Sequence, residues 1–225
     1  HYDMWLGPAA WRSYNEKKGH YNWHWHWDTG NGDTGNQGPH QFDIARWGLN
    51  KKEHPVSIYS TGGIYGISPK ECSQETPNTQ TSLFTYEDGK VLEFETRGRY
   101  TNGESSLNVK IGNIFYGTDG YLTLSKTDGW QLYGPKNKLI RQETGSYEIV
   151  THARIFLDAI RGDAQPNADA ETGHRSTTLV HLANIVSRCG RGELRFDPQA
   201  ERFIDCLEAD NLLGRNYREA HWACL

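Results

Sequence analysis

The amino-acid sequence predicts an α+β fold: a large, mainly antiparallel sheet with helices on one face. Three observations carry that expectation. Between Pro55 and Tyr133, β-branched and aromatic runs follow one another with only turn residues between them. In the last third, apolar residues recur at helical spacing and each stretch stops at a glycine. No internal repeat, low-complexity tract or linker interrupts the chain, so a single domain over residues 1–225 is expected.

Taken in order, residues 1–35 are rich in Trp, Tyr, Gly, Asn and Asp and read as an extended aromatic segment. Within it Trp23, Trp25 and Trp27 alternate with His24 and His26, the two-residue period of a strand. Thr29 to Asn36 (TGNGDTGN) reads as turn chemistry. Residues 36–49 read as a helix, with Phe42, Ile44, Ala45 and Trp47 apolar, Pro39 near the start and Gly48 near the stop. Residues 55–133 form the sheet, from the runs VSIYSTGG, TQTSLFTYE, KVLEFETRG, NIFYGT, YLTLSK and WQLYG. Asp88-Gly89 marks a hairpin, because Asp-Gly suits the positive φ angles of a type I′ turn. Asp119-Gly120 and Asp128-Gly129 punctuate in the same way, and such tight turns make the pairing antiparallel. Residues 146–225 are mainly helical. Ser146 to Gly162 puts Ile149, Ala153, Phe156, Leu157 and Ile160 on one stripe; His174 to Arg191 does so with Leu179, Leu182, Ala183 and Val186. A short strand, ELRFD, and a last helix around Leu207 to Arg218 follow.

Composition excludes several classes of function. A formal charge of −4 and a pI near 6.2 argue against a nucleic-acid partner, which calls for a basic excess. No apolar run approaches the ~20 residues that cross a bilayer, so no membrane partner is expected. The mean hydropathy of −0.79 is low, yet eight Trp and twelve Tyr are too many aromatics for a disordered chain. Aromatic faces on a polar protein suit a carbohydrate, although packing against a sheet accounts for them equally well. Cys72, Cys189, Cys206 and Cys224 stand far apart with no CxxC pair, which points to reduced thiols in a cytoplasmic-type enzyme. A periplasmic location through an upstream signal is the alternative.

No Gly-x-Gly-x-x-Gly follows a strand and no phosphate-binding P-loop is present, so this chain is not expected to bind a dinucleotide unaided. His24 and His26, with His20 and Asp28 nearby, carry the spacing that places two rings on one strand face, as a metal site would. The same alternation with Trp is what a half-buried strand looks like, and no metal is expected.

The segments YDMWLGPA (Tyr2 to Ala9), NWHWHWDTGNGDTGNQGPHQFDIARWGL (Asn22 to Leu49), ETPNT (Glu75 to Thr79), FYGTDGYL (Phe115 to Leu122) and HRSTTLVHLANI (His174 to Ile185) occur in that order. Together they resemble the glucose–fructose oxidoreductase / inositol dehydrogenase / MocA family, nearly end to end but only over its carboxy-terminal domain. The resemblance implies a mostly antiparallel sheet with helices on one face, the other face packing against a partner subunit in a homo-oligomer. It implies an oxidoreductase acting on a hydroxyl of a sugar, polyol or related carbohydrate, with NAD or NADP held by a domain missing from this chain, which is inactive alone. The family carries an Asp-x-x-x-His pair at a helix start, and the matching positions are Asn36 and His40. His40 then fits the acid/base role, since an imidazole, with an ordinary pKa of about 6.5, exchanges protons near neutrality. Asn36 departs from the pattern: it can hydrogen-bond a hydroxyl but cannot accept its proton as a carboxylate would, so its role is positioning.

The residues alone leave alternatives open. His40 is either the acid/base or a histidine packed beside the helix start. Asp43, one turn on, either orients the His40 ring or is a surface carboxylate. Trp23, His24 and His26 either face substrate or anchor the segment in the core, and Arg175 either binds hydroxyls or is solvated. Two other functions stay beside the oxidoreductase: a stand-alone sugar-binding or oligomerisation module, and a glycoside-cleaving enzyme that oxidises its substrate transiently with NAD.

Overall fold

In a computed structural model, residues 1–68, 70–98, 109–126 and 128–218 are described. The chain divides into two compact units: His1–Pro39, Glu53–Tyr100 and Thr177–Leu225 in the first, His40–Lys52 and Thr101–Ser176 in the second. In order, the helices are α1 (Tyr2–Leu6), α2 (Gly32–Leu49), α3 (Ile149–Arg161), α4 (Ala170–Cys189) and α5 (Leu207–Asp210). The strands are β1 (Ser57–Gly63), β2 (Thr79–Thr85), β3 (Val91–Arg97), β4 (Gly112–Gly117), β5 (Gly120–Ser125), β6 (Gly129–Gly134), β7 (Lys138–Glu143), β8 (Glu193–Asp197) and β9 (Arg202–Phe203).

The first unit is built on a five-stranded sheet of order β3-β2-β1-β8-β9, in which every neighbouring pair is antiparallel. Strand alternation sets its inner face. Leu92 lies opposite Phe84, Phe84 opposite Ile58 and Ile58 opposite Leu194, and all four are buried. With Phe196 and with Leu179, Leu182, Ala183 and Val186 of α4 they make up the core. Burying such side chains contributes about 1.5–3 kcal/mol each. Several of the polar residues that reach the core are paired with one another. Ser60 and Ser82 meet across the sheet at 2.9 Å, Gln80 donates to Ser60 at 3.1 Å, and Thr34 of α2 donates to Gln80 at 2.8 Å. That chain of hydrogen bonds fixes the start of α2 relative to β2.

The second unit carries a four-stranded meander, β4-β5-β6-β7, again antiparallel throughout. Tyr121 stacks on Tyr133 across it with ring centroids 4.8 Å apart. The end of α2 lies close to β4: Asn113 donates to the Gln41 carbonyl at 3.0 Å, and a Cβ on Gly48 would sit 2.3 Å from the Phe115 ring. Gly48 therefore serves close approach rather than helix termination. Helix α3 is strongly amphipathic yet has no buried residue; Ile149, Val150, Phe156, Leu157 and Ile160 are all exposed.

The α+β class with antiparallel strands is as expected, and β1 to β6 lie where the residue pattern places them. Four local expectations are corrected. The Trp/His alternation is not a strand: Asn22–Trp25 is a 3₁₀ turn, followed by hydrogen-bonded turns to His26. Thr29 to Asn36 is not all turn, because α2 begins at Gly32 and Pro39 lies inside it. The sheet extends past Tyr133 through β7, and its strands form two sheets, with β8 pairing beside β1. No helix runs to Arg218. Helix α5 ends at Asp210, and Arg218 instead binds back to the amino-terminal segment, donating to the Gly7 carbonyl and pairing with Asp3, each at 2.6 Å. Cys72, Cys189 and Cys206 are free thiols, and Cys224 lies outside the described residues.

Candidate functional site

Helix α2 carries the candidate site, although four glycines and a proline make it a poor helix by propensity. Contacts to the rest of the first unit hold its start. Gly32 adopts φ +67°, and a Cβ there would strike the Thr76 side chain; Asn184 donates to the Asn31 carbonyl at 3.0 Å. Asp33 sits in the first turn, where a carboxylate complements the helix dipole. Pro39 withholds the amide that residue 35 would otherwise receive, so the helix ladder is interrupted just before His40.

Asn36 and His40 stand one turn apart on α2, and both are exposed. Among the described residues neither side chain has a hydrogen-bond partner, so each is available to an incoming hydroxyl. Asp33 lies one turn before Asn36 on the same face. Its Oδ1 accepts from the Trp25 indole N–H at 3.1 Å. Burial raises the Asp33 carboxyl above the usual range, opposed by that hydrogen bond and by the charge of His24. Reading residues 29–36 as turn hid Asp33; the spacing Asp33, Asn36, His40 along one helical stripe is the signal that points to it.

The 3₁₀ turn gathers part of the aromatic segment. Trp23 and His24 stack at 4.0 Å with 17° between their planes, and the His24 Nδ1 lies 2.5 Å from the Tyr21 carbonyl. Trp23 remains partly exposed, whereas His26 is buried, with Nδ1 3.7 Å from Glu75. Burial, and then the charge of Lys18, holds the His26 imidazole below its ordinary range, so it is neutral near pH 7. Glu75 pins the turn from outside. Its Oε2 accepts from the Trp27 amide at 2.9 Å, its other oxygen pairs with Arg12, and its own amide donates to the Trp25 carbonyl at 2.8 Å. Arg12 also pairs with Asp28 at 2.5 Å, and the Trp27 ring lies under the Arg188 guanidinium at 4.9 Å.

The other expected site residues are engaged elsewhere. Asp43 accepts from the Ser176 hydroxyl at 2.7 Å and lies 3.9 Å from Arg46, which itself donates to Ser176. Arg175 pairs with Glu171 one turn away on α4. His20, His24, His26 and Asp28 form no metal-ligand cluster among the described residues.

These residues do not fit a dinucleotide. The run Gly30-x-Gly32-x-x-Gly35 opens α2 out of a 3₁₀ turn and not a strand, and it puts a carboxylic side chain, Asp33, in the first turn of the helix, where an anion-binding turn needs none. Every strand pair among the described residues is antiparallel, whereas a dinucleotide fold rests on parallel strands.

The sequence matches a family described as "Oxidoreductase family, C-terminal alpha/beta domain" over residues 1–125 and 133–224. No curated protein sequence matches it. Among solved structures, the WlbA dehydrogenase of Bordetella pertussis, in complex with NADH and UDP-GlcNAcA, is similar with a TM-score of 0.54 at 16% identity; 83% of this chain and 52% of that one are covered. An aldose-aldose oxidoreductase of Caulobacter crescentus, complexed with glycerol, gives 0.56 at 10% identity over 78% and 51%. An oxidoreductase of Agrobacterium radiobacter, in complex with NAD+, L-tartaric acid and magnesium, gives 0.53 at 14% identity over 73% and 49%. At these identities the likeness is one of fold, and the chain spans about half the length of the structures it matches. By the family match, the chain belongs to the Gfo/Idh/MocA oxidoreductases, as their carboxy-terminal α/β domain.

Proposed function

We propose that this domain forms the substrate side of an NAD- or NADP-dependent oxidoreductase that acts on a CH–OH group of a sugar, polyol or related carbohydrate. One observation carries the reading: His40 is exposed and unpartnered one turn from Asn36, on a helix of a chain that belongs to an oxidoreductase family. The nicotinamide, bound by another domain, supplies the hydride acceptor. The residues of this chain handle the proton and the orientation of the alcohol. The His40 ring takes the hydroxyl proton as the carbonyl forms, and its exposure lets that proton pass on to water. Asn36 donates from its amide to a neighbouring hydroxyl and so fixes which carbon faces the acceptor. Trp23, stacked on His24, offers a partly exposed apolar face for the sugar. Asp43 and Arg175 act at a remove, by holding α2 and α4.

The assembly is proposed to be a homo-oligomer that covers the apolar surface of the second unit, supported by the bare apolar stripe of α3. No helix among the described residues is long and apolar enough to cross a membrane. The test is an oxidation screen of neutral sugars, polyols and sugar acids with NAD+ and NADP+, using the domain joined to its nucleotide-binding partner. Net production of the reduced cofactor with a keto product supports the reading. Cleavage of a glycoside with no net reduction, or no turnover of any such alcohol, refutes it.

A further inference from the structure

Asp33 is a carboxylate that the fold half-buries and leaves partly unused. One oxygen, Oδ1, accepts from the Trp25 indole N–H at 3.1 Å. The other accepts nothing among the described residues and still reaches solvent. Among those residues no Lys or Arg pairs with it, and of the titratable groups around it His24 is the one whose charge acts on it. A carboxylate in the first turn of a helix commonly serves that helix, by accepting from its free amides. Asp33 does not, because no described amide of α2 donates to its side chain. Taking a carboxylate out of water is costly unless hydrogen bonds or a cation compensate it, and here one oxygen has neither.

Two contacts hold that oxygen in place. Trp25, which fixes Oδ1, is itself met edge-on by Tyr21, with ring centroids 5.8 Å apart. The chain leaving β3 passes against the carboxyl at Gly98, where a Cβ would strike Asp33. The Gly98 backbone is anchored in turn, its amide donating to the Asn78 carbonyl at 2.9 Å. An acceptor held between an indole N–H and a fixed backbone is preorganised, so a ligand that uses it loses little to side-chain ordering.

Asn36 stands one turn on from Asp33, exposed and without a partner among the described residues. An ionised Asp33 only accepts, whereas the Asn36 amide donates. The pair suits two neighbouring hydroxyls, one donating to Asp33 and the next accepting from Asn36. A carboxylate or phosphate in place of the first hydroxyl has no proton to donate, and it brings a like charge against a half-buried one.

We propose that Asp33 is a substrate-binding residue that selects a neutral hydroxylated ring over a sugar acid, its Oδ2 accepting from the hydroxyl beside the one that Asn36 meets. The inference deepens the oxidoreductase reading, since it rests on this stripe of α2 meeting the substrate, and binding and turnover test the two separately.

In the domain joined to its nucleotide-binding partner, calorimetry and oxidation kinetics compare D-glucose, D-galactose and D-mannose with their uronates at constant ionic strength. At least one hexose binds about tenfold or more tightly than its uronate. Asp33→Asn keeps an acceptor for the Trp25 N–H and leaves the melting temperature unchanged. It raises Kd and KM for the hexose about fivefold, leaves kcat within about twofold, and closes most of the gap to the uronate. Asp33→Glu restores the charge and with it the gap. A uronate bound as tightly as its hexose, no hexose bound, an unchanged gap in Asp33→Asn, or an equal fall in kcat for both sugars in that variant overturns the proposal. The wild-type comparison decides it even where a variant fails to fold. Binding that discriminates in this way without turnover of any alcohol supports the role of Asp33 and sinks the oxidoreductase reading instead.

Discussion

Replacing Glu75 tests how the aromatic turn is held. Burial by itself would raise this carboxyl, but the Trp27 amide and then Arg12 more than reverse the effect and leave it below the usual carboxylate range. A hydrogen bond to a charged group is worth about 1.5–3 kcal/mol. The Arg12 pair adds only about 0.2–1 kcal/mol, because the Arg12 side chain is 44% exposed and keeps Asp28 as a second partner. Glu75→Ala loses both and should cost about 2–4 kcal/mol; Glu75→Gln keeps an acceptor for Trp27 but not the charge, and should cost about 1–2 kcal/mol. The pH dependence has a definite sign. A carboxyl whose folded-state pKa is depressed contributes stability above its ordinary value, about 4.3, and loses it as pH falls through the folded value. The gap between wild type and Glu75→Gln should therefore be full at pH 7 and close below about pH 4. Urea unfolding at a series of pH values reads the gap, and hydrogen exchange at the Trp27 amide reads the local contact. A gap near zero at pH 7, or one that persists unchanged into acid, refutes the reasoning.

Three further outcomes follow from the same structure. Gly30→Ala would place a Cβ 2.3 Å from the His24 carbonyl oxygen, so the turn must open; a thermal melt should show a loss of about 1–3 kcal/mol. Calorimetry of the chain with NAD(H) and NADP(H) should show no saturable binding, because the Gly30–Gly35 run lacks its strand and carries Asp33; micromolar affinity for either would contradict this. Light scattering at micromolar concentration should give a dimer or larger species, since α3 leaves Ile149, Phe156 and Ile160 more than half exposed; a clean monomer would contradict the assembly reading.

What was legible in the sequence was what local chemistry decides. A turn at Asp88-Gly89 joins β2 to β3, but it is not the expected type I′, because only Gly89 takes a positive φ (+83°) and its amide bonds back to the Tyr86 carbonyl; Gly162 and Gly190 take the positive φ that ends α3 and α4. What tertiary contacts decide was not. The Trp/His alternation has a strand's period, but the carbonyl of Trp25 is satisfied by the amides of Glu75 and Thr76, far along the chain, and the segment coils instead. Glycines at 32, 35 and 38 argue against a helix, yet the Thr34–Gln80 and Asn184–Asn31 hydrogen bonds hold α2 from Gly32. Strand β7 is exposed at every position, so it shows none of the apolar alternation that a half-buried strand displays. At the candidate site, Asn36 and His40 are singled out only by the resemblance to the family motif. Asp33 was missed because the helix begins earlier than its residues suggest, and the engagement of Asp43 by Ser176 joins positions 133 residues apart.

The central claim is that His40 takes the hydroxyl proton. In the enzyme that joins this domain to its nucleotide-binding partner, the most direct measurement is kcat/KM for alcohol oxidation in wild type and His40→Asn. His40→Asn should lower kcat/KM about 10²–10⁴-fold, with cofactor affinity unchanged. Near-normal turnover in the variant would contradict the account and make His40 a structural residue.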